Sequence, residues 1–203
     1  MKFVSSVLPT FVKPLKDISI INGKMLKQDV VVSGIPKPVV HWFKDDEPLS
    51  EKDFIFDCKD KTHSISVEQS NPSNTGKYKA IAENPAGKVE SLATVEIQTK
   101  PVIRKPDDVK IVSGSEFSLS VLVEGRPEPK LKWMKDKTEL PASLGITIEK
   151  KEDNYVLFMK ESTISLNGTY SLNASNPAGN DTATFKVVVL GKSDLLLSQT
   201  LRE

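Results

Sequence analysis

The chain repeats itself, and the repeating unit is as long as a domain. Residues 31–45 read VVSGIPKPVVHWFKD and residues 122–136 read LVEGRPEPKLKWMKD. Gly34 matches Gly125, Pro36 matches Pro127, Pro38 matches Pro129 and Trp42 matches Trp133, all at an offset of 91. Further on, Gly76-Lys77-Tyr78 matches Gly168-Thr169-Tyr170, and Asn84-Pro85-Ala86-Gly87 matches Asn176-Pro177-Ala178-Gly179, at an offset of 92. The second copy therefore holds one extra residue between Trp133 and Gly168. A unit of this length is too large for a solenoid repeat and buries its own core. The 203 residues divide into two domains of about 100 residues each.

Each copy reads as all-β. In Lys88–Ile97 and in Glu116–Val123, apolar residues alternate with polar ones at a period of two, as in strands with one buried face. Turn chemistry separates these runs: Ser-Gly-Ile-Pro-Lys-Pro, Asp-Asp-Glu-Pro, Asn-Pro-Ser-Asn-Thr-Gly and Asn-Pro-Ala-Gly. No stretch has the pattern of an amphipathic helix. Trp42 and Trp133 each supply an apolar slab for the space between two sheets. Tyr78 and Tyr170 follow Gly at the spacing of a tyrosine corner, in which the hydroxyl bonds back to nearby backbone. Asn84 to Gly87, and Asn176 to Gly179, pair a fixed proline φ with a glycine free to take positive φ, which suits a tight hairpin.

The pattern V-x-V-x-G-x-P-x-P-x-x-x-W-x-K-D, then G-x-Y, then A-x-N-x-x-G, resembles the intermediate-set immunoglobulin domains of titin, twitchin, obscurin and related muscle proteins. The resemblance covers nearly the whole chain. It implies two tandem immunoglobulin-like β-sandwiches at residues 9–98 and 101–191, with an N-terminal extension (1–8), a short linker (99–100) and a C-terminal tail (192–203). Thr99-Lys100 is too short to behave as a flexible coil.

Two departures from that family pattern carry information. Extracellular relatives place a disulfide where this chain has Val30 and Ala80 in the first domain, and Val121 and Leu172 in the second. A missing bridge forfeits about 2–5 kcal/mol in a small domain, so packing around the tryptophans has to supply the stability. Val30 facing Ala80 fills less volume than Val121 facing Leu172, which predicts a better-filled second domain. The acidic residue usual two positions before G-x-Y is also replaced, by Asn74 and Leu166, which removes the side chain expected at that corner.

Charge argues against several functions. Lys+Arg number 28 and Asp+Glu 27, and each half of the chain is balanced as well. Nucleic-acid binding needs concentrated positive charge to displace counterions, and the overall composition has none. No apolar run reaches the roughly 18 residues of a membrane span, and Pro9 interrupts the N-terminal apolar stretch that would otherwise imitate a signal peptide. The single cysteine, Cys58, excludes an intrachain disulfide, points to a reducing compartment, and reads as a half-buried thiol on a strand.

Candidates for chemistry all read more simply as surface. His41 should face opposite Trp42 and be solvated; neither it nor His63 has metal-ligand spacing. Asp45-Asp46-Glu47 reads as a solvated turn, because calcium needs six or more converging oxygens. Asn167, Asn173 and Asn180 lie in N-x-[ST] sequons, which in a reducing compartment are chance matches. Lys130, Lys132 and Lys135 read as an outward face of one strand. The expectation is therefore a non-enzymatic chain with no catalytic residue, metal or cofactor, and with structural positions at Val30, Trp42, Tyr78, Ala80, Val121, Trp133, Tyr170 and Leu172.

The resemblance implies a scaffolding module pair of a cytoplasmic, sarcomeric muscle protein, acting by protein binding and mechanical linkage. Its partners would be sarcomeric or cytoskeletal filament proteins, with no nucleic acid, membrane or small-molecule substrate. Two other readings stay open. One is an actin-associated scaffold of the palladin or myotilin type, using the lysine face; the other is a cell-surface adhesion fragment, which would carry glycans on the sequons.

Overall fold

The structure, a computed structural model, describes residues 6–140 and 144–191. The chain separates into two compact units, Met1–Gln98 and Thr99–Glu203. The tail read at 192–203 and the first five residues lie outside the described part.

In the first unit the strands are β1 (Val7–Lys13), β2 (Ile18–Ile21), β3 (Leu26–Ile35), β4 (Val39–Lys44), β5 (Glu47–Pro48), β6 (Ile55–Lys59), β7 (Thr62–Val67), β8 (Gly76–Asn84) and β9 (Gly87–Arg104). One sheet runs β1-β3-β7-β6; the other runs β9-β8-β4-β5, with β2 added parallel to β9. The second unit repeats this plan with β10 (Val109–Val112), β11 (Phe117–Arg126), β12 (Lys130–Lys135), β13 (Thr138–Glu139), β14 (Thr147–Lys151), β15 (Asn154–Met159), β16 (Gly168–Asn176) and β17 (Gly179–Leu190). Residues of β9 beyond Gln98 pair with β11, which continues to β15 and β14, and the facing sheet runs β10-β17-β16-β12-β13.

Alternation along each strand decides what goes inside. On β3, Leu26, Val30 and Val32 are buried while Lys27 points out; on β11, Phe117, Leu119, Val121 and Val123 do the same. Each fully buried aliphatic or aromatic side chain contributes about 1.5–3 kcal/mol, and each unit has its own cluster of them. Val30, Tyr78, Ala80 and Leu172 have no exposed surface, Val121 and Tyr170 have 1%, and Trp42 and Trp133 have 6% and 7%.

Four details differ from the sequence reading. β1 begins at Val7, whose partner is Ile35, so the last residues read as an N-terminal extension already belong to a sheet. Thr99-Lys100, read as a linker, lies inside β9, and Thr99 pairs with Arg126. Cys58 is exposed rather than half-buried, because β6 is the outermost strand of its sheet. Lys135 does not share the outward face of Lys130 and Lys132: it has the parity of Trp133, is half-buried, and bonds Asp136 at 2.7 Å.

Candidate functional site

The side chains repeated between the units form a set of structural locks. The Tyr78 hydroxyl donates to the Asn74 carbonyl at 2.8 Å, and the Tyr170 hydroxyl to the Leu166 carbonyl at 2.9 Å. Both corners therefore close without an acidic side chain, since a backbone carbonyl is present whatever the residue. Asn74 instead accepts from the Asn71 N–H through Oδ1 at 2.8 Å, capping the short 3-10 turn Pro72–Asn74, while Leu166 is wholly buried. Burial, reinforced by Asp136, pushes the Tyr170 phenol up to about 12, and burial with Asp45 pushes the Tyr78 phenol up as well.

A second lock sits at the hairpins. Asn84 Nδ2 donates to the carbonyls of Val7 and Pro36 at 2.8 and 3.0 Å, and Asn84 Oδ1 accepts from the Ala86 N–H at 2.9 Å. Asn176 repeats this with Thr99, Pro127 and Ala178 at 2.8, 2.8 and 3.0 Å. One side chain thus ties a hairpin, an edge strand and a proline loop together. Gly87 and Gly179 close these hairpins at φ of 146° and 149°, a conformation that a Cβ would strain.

The third lock explains the Lys-Asp that follows each tryptophan. Asp45 Oδ1 accepts from the Lys77 N–H and Asp136 Oδ1 from the Thr169 N–H, both at 2.8 Å. A Cβ on Gly76 or Gly168 would lie only 2.5 or 2.6 Å from the same carboxylates, so W-x-K-D and G-x-Y are two halves of one contact. Along the chain the two motifs are 32 residues apart and look independent. The bond from Lys44, then that from the Lys77 backbone, holds Asp45 below its usual range; Lys135 and Thr169 do the same to Asp136.

The remaining candidates are dispersed. His41 is exposed, opposite Ile81 on β8. His63 is half-buried, and burial followed by the Lys37 charge holds its imidazole below the usual range. Asp46 is occupied by Lys79. Among the described residues, no group of three or more His, Cys, Asp or Glu is placed to hold a metal ion. Asn167 accepts from the Val189 N–H, Asn173 accepts from the Thr182 hydroxyl, and Asn180 is exposed.

The units differ on the outer face of the sheet that contains β8 and β9 in the first and β16 and β17 in the second. In the first, Leu92 (60% exposed) and Val39 (59%) flank the half-buried Phe43 and Ile81. The aligned positions in the second are Thr184, Lys130, Met134 and Asn173. In the first unit these apolar side chains are interleaved with charged ones, since Lys79 lies between Phe43 and Leu92 and Ile81 lies between His41 and Glu90.

These features define tandem β-sandwich modules stabilised by repeated cores and polar locks. The family model described as "Immunoglobulin I-set domain" matches residues 9–97 and 100–189, and the chain belongs to that family. It is 31% identical over 185 residues to the muscle M-line assembly protein unc-89 of Caenorhabditis elegans, covering 87% of this chain and 2% of that protein. It is 28% identical over 185 residues to smooth-muscle myosin light chain kinase of Gallus gallus, covering 88% of this chain and 10% of the kinase. The chain thus spans a small part of either relative. The solved structure of titin A168–A169 superposes with a TM-score of 0.72 at 19% identity, over 92% of this chain and all of that one, which shows the shared fold. No helix among the described residues is long and apolar enough to cross a membrane.

Proposed function

We propose that the chain is a non-enzymatic scaffolding module pair of a sarcomeric muscle protein, which bears tension and binds other proteins. The observation that carries this reading is a parallel ladder present in both units. Ile18, Ser19, Ile20 and Ile21 pair in register with Val95, Glu96, Ile97 and Gln98; Val109 to Val112 pair with Val187 to Leu190 in the same manner. In each unit one partner lies near the beginning and the other at the end. Pulling on the ends slides the strands past each other and loads every ladder bond at once, whereas an antiparallel end-hairpin would open bond by bond. The muscle relatives support the same reading. The mixed outer face of the first unit, where Leu92, Phe43, Ile81 and Val39 stand among Lys79, His41, Glu83 and Glu90, is the surface offered to a protein partner.

Antibody staining of muscle cells tests the location. Regular stripes seen only after permeabilisation are expected; staining of intact cells would overturn the cytoplasmic assignment. Exposed Lys130 and Lys132 on the polar face of the second unit favour actin contact as a second reading. Co-sedimentation with filaments that weakens steeply with salt would select it.

A further inference from the structure

The two units line the open side between their sheets with different titratable groups. In the first unit this opening, of about 220 Å³, is bounded by Val40 and Trp42 of β4, Phe56 and Cys58 of β6, and His63 of β7. His63 pairs with Val30, which has no exposed surface, so the imidazole has core-facing parity and is half-buried at the rim. Its Nε2 lies 3.8 Å from the Cys58 Sγ, and the Lys37 Nζ lies 3.8 Å from the same sulfur. The aligned residues of the second unit are Tyr155, Lys150 and Glu128. There Glu128 holds both of the others, pairing with Lys150 and accepting from the Tyr155 hydroxyl at 3.2 Å. In the first unit a lysine stands in place of that carboxylate.

The charges around His63 give it no substitute. Asp57 borders the opening, but it and Asp29 both pair with Ser64 and so have the parity of the outer face, where Asp29 is bonded to Lys13. On β4, His41 is exposed and has the parity opposite to Trp42. In the turn between β6 and β7, Asp60 stands between Lys59 and Lys61, and all three are exposed. A proton on His63 would therefore create a half-buried cation beside Lys37, with no carboxylate bonded to it among the described residues. A charge withdrawn from water without a partner is costly.

We propose that His63 is a proton-sensitive trigger of the first unit: one proton taken onto its ring loosens that unit and leaves the second as it was. Burial, and then the Lys37 charge, hold the imidazole below its ordinary value, so the folded unit favours the neutral ring. Its stability is full above the ordinary value of about 6.5 and is lost as pH falls from there toward the folded value. Tyr155 has no charge to change in that window, since its phenol is held above the ordinary range chiefly by burial. The window also lies above the acid range in which the Asp45 and Asp136 carboxyls titrate. This trigger goes beyond the scaffolding reading and stands or falls separately from it.

The test follows the full chain by calorimetry and proton NMR between about pH 7.5 and 5.5. The second unit's transition is the one that Leu172→Ala moves. Acidification is expected to lower the first unit's transition by a few degrees and to leave the second in place. His63→Gln cannot take the charge and should remove most of that drop. The readout is the difference between the two pH values, so a variant that is itself less stable still reports. Lys37→Glu, at an exposed position, puts a carboxylate where the second unit has one; it should shrink the drop or reverse it, because the protonated ring gains a partner. The His63 ring signal should titrate at higher pH in Lys37→Glu than in the natural chain. A first-unit transition insensitive to this range, an equal drop in His63→Gln, an unchanged drop in Lys37→Glu, or a His63 midpoint that does not move in Lys37→Glu would each overturn the proposal.

Discussion

Asp45 accepts a 2.8 Å hydrogen bond from the backbone N–H of Lys77 across a sequence separation of 32, and Asp136 and Thr169 repeat it. Both carboxyls are held below their usual range by their lysine neighbours and by these backbone bonds. A depressed carboxyl stabilises the fold above its unfolded pKa, and the effect is lost as pH falls through the folded value. Thermal stability should therefore drop on acidification below about pH 4. The double variant Asp45→Asn, Asp136→Asn should melt a few degrees lower at neutral pH and show a shallower acid dependence. Melting curves across that range check it.

The tyrosine corners should respond separately. Tyr78→Phe and Tyr170→Phe each leave a carbonyl without its buried donor, at a cost of about 1–2 kcal/mol in urea unfolding. Both phenols have raised values, so their stabilisation is complete below about pH 10 and lost as pH rises from there through the folded values. In a Tyr155→Phe background, which removes the partly exposed third tyrosine, tyrosinate absorbance should appear together with unfolding and not before it.

The hairpin asparagines supply a sharper contrast. Asn84→Asp keeps the shape but removes both donors and places a carboxylate against the carbonyls of Val7 and Pro36. It should destabilise the first unit more than Asn84→Ala does, with a loss of about 2–3 kcal/mol expected from an unpaired polar group at such a site. Denaturant midpoints of the two variants decide the order.

Much of this architecture was legible because the residues that carry it are motif residues at fixed spacing: Trp42 with Trp133, Tyr78 with Tyr170, Asn84 with Asn176. What escaped were contacts between distant strands. The Asp45–Lys77 bond joins two motifs that look independent along the chain. The corners at Asn74 and Leu166 use carbonyls, and side-chain substitutions say nothing about those. The exposure of Cys58 depends on β6 being outermost, which is a property of topology. Phe54 lies in no repeated motif, yet its ring packs edge-on against Tyr78 at 6.1 Å, whereas Tyr170 is stacked on Phe185 at 5.7 Å.

The two centres are filled differently. Phe185 faces Tyr170 across the ladder where Ala93 faces Tyr78, and Leu172 stands where Ala80 does. The second unit should therefore melt at the higher temperature. Leu172→Ala, at a cost of about 2–5 kcal/mol, identifies its transition in the full chain by shifting that transition alone. A first unit that melts last would contradict the packing argument.

The most direct test of a tension-bearing tandem is to stretch single molecules of the full chain from its ends. Two discrete unfolding events are predicted, each releasing about 300 Å, the extended length of roughly 90 residues less the folded span. Ile20→Pro, which removes the N–H that the middle of β2 directs at β9, should lower the force of one event and leave the other unchanged. Smooth extension without discrete events, or two events unaffected by Ile20→Pro, would contradict the account.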